Sequence, residues 1–217
     1  QKLLFSQFNN NTITVNFPEN YNKGTKDSLT IYYRGQPVGS GFGSFIISQH
    51  GGVPVMWTLS EPYGARDWWP CRNGLDDKAD SIDIYVEHPS QYVAASNGIV
   101  AGSSVNGGKT ITHFHHSYAI ASYLVAFAVT NYTVTNTSVQ LQHSVLPIIT
   151  YAYPESANAF NANTYKMLDA MKLFDSAFVD YPFAREKYGQ TQFGWGGGME
   201  HQTNSFVISY GENLMAH

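Results

Sequence analysis

From Gln1 to about Thr150, apolar residues tend to return at every second position. Between Thr12 and Phe17, Ile13, Val15 and Phe17 alternate with polar neighbours, the period of a half-buried strand. Leu29-Thr30-Ile31-Tyr32-Tyr33 predicts another strand, closed by Gly35 and Pro37. Ile82, Ile84 and Val86 alternate with Asp83, Tyr85 and Glu87, so this strand should keep one wet face. Ser122 to Val129 is almost continuously apolar, as expected of a strand covered on both faces. Asn97-Gly98 and Asn106-Gly107-Gly108 are hairpin signals. Strands at this spacing predict a mainly β domain over residues 1–145, an antiparallel sandwich or saddle.

The period changes after Tyr151. Leu168, Met171, Phe174 and Phe178 recur at three- and four-residue steps, which is helical. Pro154 and Glu155 can open this helix, and Pro182 stops it. Ser205-Phe206-Val207-Ile208 then predicts an edge strand, and residues 211–217 the approach to a further helix. Residues 146–217 therefore read as the α+β opening of a second domain. No internal repeat or long low-complexity linker is present.

Composition narrows the partners. Only 13% of residues are charged, about half the usual share, so the polarity of the turns comes from Asn, Ser, Thr and Gly. The net charge is −4 with no Lys/Arg cluster, which argues against nucleic acid or an anionic membrane surface as partner. No apolar run approaches the roughly 20 residues of a membrane span. Cys71 is the one cysteine, so no disulfide forms within the chain and the redox compartment is undecided. The low charge leans toward a secreted or periplasmic location. Asn10-Asn11-Thr12, Asn131-Tyr132-Thr133 and Asn136-Thr137-Ser138 match the glycosylation acceptor pattern, as chance allows in so Asn-rich a chain.

Several chemical candidates read as structure. Gly39-Ser40-Gly41-Phe42-Gly43 is followed by Phe45-Ile46-Ile47, a strand pattern, so it predicts a turn or bulge rather than a dinucleotide loop. His113 and His115 would share a strand face, but two imidazoles without a third ligand make a poor metal site. No Gly-x-Ser-x-Gly elbow occurs, and Cys71 beside Trp68, Trp69 and Pro70 reads as a core thiol. Two features read as chemistry. Gly196-Gly197-Gly198 leads into Met199-Glu200-His201, where glycines let main chain approach a ligand while one carboxylate points at it. Asn213-Leu214-Met215-Ala216 then closes on His217, as a zinc-binding helix begins.

The segment from Thr58 to Cys71 reads Thr-Leu-Ser-Glu-Pro-Tyr-Gly-Ala-Arg-Asp-Trp-Trp-Pro-Cys. With Glu61, Ala65-Arg66 and Trp69-Pro70-Cys71 in that order, it resembles a segment of the aminopeptidase N-like zinc metallopeptidases, the gluzincin aminopeptidases. Ile120 to Val129 resembles that family's next landmark, near the end of its amino-terminal β domain. Met171 to Pro182 resembles the helix that opens its catalytic domain. Gly197-Gly198-Met199-Glu200-His201 resembles its Gly-x-Met-Glu-Asn exopeptidase motif, and Asn213 to His217 the lead-in to its His-Glu-x-x-His helix. The resemblance covers most of the chain, with its landmarks in the family's order.

The resemblance implies a zinc-dependent aminopeptidase with a thermolysin-like catalytic domain, acting on peptides with a free amino terminus. Glu200, and after it Glu61, would hold the substrate's α-ammonium. Gly197, Gly198, Met199 and His201 would complete the substrate site, the glycines pairing with substrate main chain. His217 would be the first zinc ligand, with the remaining ligands beyond it. On this reading the chain is a truncated fragment with an incomplete amino-terminal domain, and by itself it neither binds zinc nor hydrolyses amino-acid anilides. Two positions depart from the family: His201 replaces the motif's Asn, and Leu59 replaces a glutamine two residues before Glu61. An orienting hydrogen bond is expected from His201. The competing readings are a non-enzymatic β-sandwich module for glycan or protein, and an inactive peptidase homologue.

Overall fold

The computed structural model describes residues 2–8 and 11–217, the side chain of Phe8 excepted. The chain forms two compact units, residues 1–36 and 37–217. In the smaller unit β1 (Leu4–Phe8) and β2 (Thr12–Asn16) form an antiparallel hairpin, with Phe5 opposite Val15. Phe17 and Tyr21 meet edge to face at 5.3 Å. Residues 29–33, expected as a strand, lie outside every strand of the structure. Propensity becomes a strand only where another edge offers a ladder. The acceptor pattern at Asn10 lies outside the described residues.

The larger unit begins with β3 (Ser44–His50) and β4 (Val53–Leu59), a hairpin whose turn residues Gly51 and Gly52 have φ of 52° and 83°. A 3-10 turn at Ala65–Asp67 follows, then β5 (Lys78–Ala79), β6 (Ile82–Pro89) and β7 (Val93–Ser96). As the alternation predicts, Val86 is buried while Asp83, Tyr85 and Glu87 face solvent. β8 (Ile99–Asn106), β9 (Lys109–His116), β10 (Ile120–Ala121) and β11 (Phe127–Thr130) complete the β part. They build a four-stranded sheet β3-β4-β11-β7, a three-stranded sheet β6-β9-β8 and the short pair β10-β5, with every pairing antiparallel.

Only one of the two hairpin signals in this part acts as one. Gly107 and Gly108 join β8 to β9 at φ of 56° and 80°, in open space. Gly108→Ala meets no neighbour, so its cost is the left-handed backbone alone, about 1–2 kcal/mol. Thermal unfolding should show a loss of that size, and an unchanged Tm would rule this account out. Asn97-Gly98, by contrast, joins strands in different sheets. Gly98, at φ 71°, is required there because a Cβ would stand 2.1 Å from the His115 carbonyl oxygen. The apolar run after Ser122 is likewise not one strand. It turns through a 3-10 segment at Ser122–Leu124 before β11 enters between β4 and β7.

β12 (Thr133–Gln140) and β13 (Val145–Ala152) open a five-stranded sheet. Helix α1 (Ala157–Ala177) crosses over to β14 (Tyr188–Gln192), which runs parallel to β13. The helix buries Phe160 and Met167 and packs Leu168 and Met171 on the core, while Phe174 and Phe178 at its end are exposed. Its last turn is tied by Asp175, whose carboxylate accepts from the Gln142 and Tyr181 amides at 2.7 and 3.2 Å. β15 (Gly198–Met199), β16 (Asn204–Val207) and α2 (Glu212–Ala216) complete the chain. The sheet order is β12-β13-β14-β16-β15. The strand expected at an edge, β16, is interior, and the glycine-bearing β15 is outermost. Strands on both sides of residue 145 belong to this one sheet. Its core joins that of the four-stranded sheet through Trp57, Leu59, Ala128, Tyr151, Phe193 and Phe206.

Candidate functional site

The glycine run becomes the outer strand of the mixed sheet. β15 pairs on one side with β16, Gly198 opposite Val207 and Met199 opposite Phe206, and no strand of the described residues lies on its other side. Such an edge offers free main-chain donors and acceptors. Met199 anchors the strand in the core at 2% exposure. A Cβ on Gly198 would stand 2.9 Å from Leu214 Cδ1, so glycine lets the strand approach the helix that leads to His217. Glu200 follows directly and is exposed.

Glu61 follows the end of β4 in the β part. β4 ends at Leu59, and Ser60 is fully buried. The Trp68 indole N–H donates to Ser60 Oγ at 2.9 Å, and Gly64 N donates to Ser60 O at 2.8 Å, closing the turn around a half-buried Glu61. Leu59, at the family's glutamine position, is core at 1% exposure. It presents no amide to the site.

Burial raises the Tyr123 phenol above its ordinary value, and the charges of Glu200 and then Glu61 raise it further. Neither carboxylate is hydrogen-bonded or ion-paired among the described residues.

His201 turns inward. It is 1% exposed, packs edge-on against Phe206 at 4.5 Å, and neither ring nitrogen is hydrogen-bonded among the described residues. The expected orienting hydrogen bond is thus not made. Burial pushes its pKa down to about 3, which keeps the ring neutral at physiological pH. His201 can touch a substrate only through its main chain.

His217 caps α2, its N–H donating to Asn213 O at 3.2 Å. With Gly198, Met199, Glu200 and Leu214 it lines a cavity of about 30 Å³, room for a single water-sized group. Gly198, Met199, Glu200 and His217 are thus brought together here, while the His201 ring lies outside this lining. Among the described residues no group of three His, Cys, Asp or Glu side chains is arranged to hold a metal ion. One imidazole does not meet the three protein donors of a catalytic zinc. His113 Nε2 and His115 Nδ1 both contact Asp83 Oδ1, at 2.7 and 3.0 Å, a satisfied strand pair. Cys71 is half-buried, and burial raises its thiol pKa.

Behind Glu200 lies a buried polar network that sequence reasoning does not single out. Thr203 has φ 63°, uncommon for a β-branched residue and costing about 1–3 kcal/mol. Its Oγ1 accepts from Gly98 N at 2.8 Å; its carbonyl accepts from Gly189 N at 2.9 Å and Lys187 Nζ at 2.8 Å. Lys187 Nζ also donates to Ser96 O at 3.1 Å, and its fully buried position lowers its pKa to about 7. Asn97 Nδ2 donates to Gln202 O at 2.6 Å and to Leu124 O at 2.9 Å, and Asn97 Oδ1 accepts from Ala126 N at 2.7 Å.

Gln202 Nε2 donates to His116 Nε2 at 2.8 Å and Ala119 O at 3.0 Å. His116 Nδ1 in turn donates to Glu186 Oε2 at 2.6 Å. Burial holds His116 below its ordinary pKa despite that carboxylate, matching a neutral ring that accepts at Nε2. For Glu186 burial works against the charge, yet the Ser117 amide and hydroxyl and His116 outweigh it and hold the carboxyl below its usual range. The sequence signal was the pair Glu186-Lys187, two charges beside a strand otherwise without them.

Residues 2–124 match the family model described as the Peptidase M1 N-terminal domain. No curated protein matches the chain. Among solved structures the chain is similar to a mutant two-domain M1 zinc metallopeptidase bound to L-arginine, at 19% identity and a TM-score of 0.79. It is similar also to a mutant two-domain M1 zinc metallopeptidase bound to L-tryptophan, at 20% identity and a TM-score of 0.78. Both likenesses cover 100% of this chain and 51% and 52% of the other, so the chain spans about half the length of these relatives.

Proposed function

This chain belongs to the M1 peptidase family, matched over its amino-terminal domain, and from that premise we propose that the whole protein is a zinc-dependent aminopeptidase. In that reading Glu200 and Glu61 bind the α-ammonium of a peptide whose main chain lies along β15. One observation carries it: Glu200, an exposed acid without an ion-pair partner among the described residues, directly follows an open sheet edge and shares a cavity lining with His217. The L-arginine and L-tryptophan held by the two solved relatives are free amino acids. Each carries the ammonium that such a site would take.

The chemistry assigned to this chain is recognition. A unit-charge pair at 4 Å gains a gross ~4 kcal/mol at an effective dielectric near 20, before desolvation and screening are subtracted. An internal peptide bond brings no such charge and would leave two acids facing covered, unpaired space. The free edge of β15 aligns the substrate by main-chain hydrogen bonds. His217, beside Glu200 in the shared cavity, stands as the first zinc donor of the whole enzyme. In this reading the part of the residues named here is to bind and orient the substrate.

The test is direct. The full-length protein, supplied with zinc, should release the chromophore from a free-amine amino-acid anilide and leave the N-acetylated anilide intact. Equal turnover of the two, or none of the free amine, would sink the proposal. Glu61→Gln should raise KM about 5- to 10-fold, less than a change at Glu200, since it removes one of two carboxylates from a shared cation. An unchanged KM would remove Glu61 from the site.

A further inference from the structure

The turn that follows Glu200 is strained at Thr203, and it is held by the β part. Thr203 occupies the left-handed region at φ 63° with no glycine to relieve it. Such a conformation persists only where neighbouring contacts over-determine it. Three donors converge on this residue: the Gly98 amide on Oγ1, and the Gly189 amide and Lys187 Nζ on the carbonyl. Lys187 alone among them is a long side chain spanning two segments, from the Ser96 carbonyl at the end of β7 to the Thr203 carbonyl. Burying an ammonium is costly. This one is buried without a carboxylate hydrogen-bonded to it, and its acceptors, Ser96 O and Thr203 O, are main-chain carbonyls. A side chain kept at that cost, on a strained residue three positions from an exposed acid, has a geometric task.

We propose that Lys187 is a positioning residue for Glu200: by clamping the carbonyls of Ser96 and Thr203 it holds Thr203 in its left-handed form within the 201–204 turn and so sets where the Glu200 carboxylate, just before that turn, meets the substrate ammonium. This rests on the aminopeptidase reading above. Gln202 belongs to the same brace. Its main chain is held by Asn97 and its side chain by His116, so the turn is tied to the β part at the link between β7 and β8 and at the end of β9. Lys187 acts on Glu200 through backbone and touches neither substrate nor metal in this scheme.

A double-mutant cycle on the full-length protein separates positioning from general support. Lys187→Met keeps the length and apolar stem of the side chain and removes its donors. With a free-amine amino-acid anilide it should raise KM about 10-fold and change kcat less than about 3-fold, the signature of lost ammonium binding. In a Glu200→Gln background the same change should alter KM less than 2-fold, because the group being positioned is gone. A Lys187→Met protein that folds and keeps wild-type KM overturns the proposal. So does a KM effect equally large with and without the Glu200 carboxylate, which is what plain destabilisation produces. Should Lys187→Met fail to fold, Thr203→Val removes the Gly98 acceptor at the same residue, and the cycle with Glu200→Gln is read identically. Wild-type protein inactive on the anilide overturns the aminopeptidase reading itself. An active wild type with an additive cycle overturns only the brace.

Discussion

Glu200→Gln is expected to lower kcat/KM for a free-amine amino-acid anilide by about 10- to 150-fold, the range of losing a charged hydrogen bond worth about 1.5–3 kcal/mol. Glutamine keeps the shape of the side chain and one acceptor while removing the charge. Glu200 is exposed in this chain, so the pair is screened until substrate covers it. That places the effect at the modest end of ion-pair energies. The loss should fall mainly on KM, since the ammonium is bound alike in ground and transition states. In the proposed site Glu61 is a second carboxylate and should retain part of the affinity, so the variant should stay active at high substrate concentration. Steady-state kinetics with the free-amine and N-acetylated anilides decide it. If KM is unmoved, Glu200 is not the ammonium anchor.

Acid stability should change most at His201. The native ring is buried with no hydrogen-bond partner among the described residues and has a pKa of about 3, while an unfolded histidine titrates near 6.5. Between these values the unfolded chain binds a proton that the native chain refuses. Stability is therefore present in full above pH 6.5 and is lost as pH falls toward 3. A shift of this size corresponds to about 5 kcal/mol over the whole window and about 3 kcal/mol by pH 4. That is a large share of a typical 5–15 kcal/mol. His201→Asn, the residue of the family motif, removes this titration. Urea midpoints between pH 7 and pH 4 should fall steeply for the wild type and less steeply for the variant. The residual slope includes His116, Glu186, Asp83 and Glu155, all held below their ordinary values and all losing stability in acid. Parallel slopes for the two proteins would show that His201 titrates normally.

The division between legible and hidden features follows from the range of the interactions. The alternation at Ile82, Ile84 and Val86 and the three-four spacing in α1 are local, so β6 and the helix could be read directly. The two-glycine turn at Gly107-Gly108 is equally local, closing adjacent strands. Asn97-Gly98 carries the same kind of signal but is captured by distant partners, Gln202 and Thr203, each 105 residues away. A residue that looks like a turn former thus works as a staple. The order β14-β16-β15 was also out of reach, because strand propensity does not say which edge a segment will join.

Residue types and their spacing were enough to mark Gly196 to His201 as chemically unusual and to anticipate mainly β structure followed by a helix, while Glu61 stood out only through the family resemblance. Folding alone put β15 on the outside, sent the His201 ring into the core, and set Lys187 against the Thr203 carbonyl. Those outcomes depend on desolvation and on pairings between segments far apart in the chain. Neither is written in any short stretch of sequence.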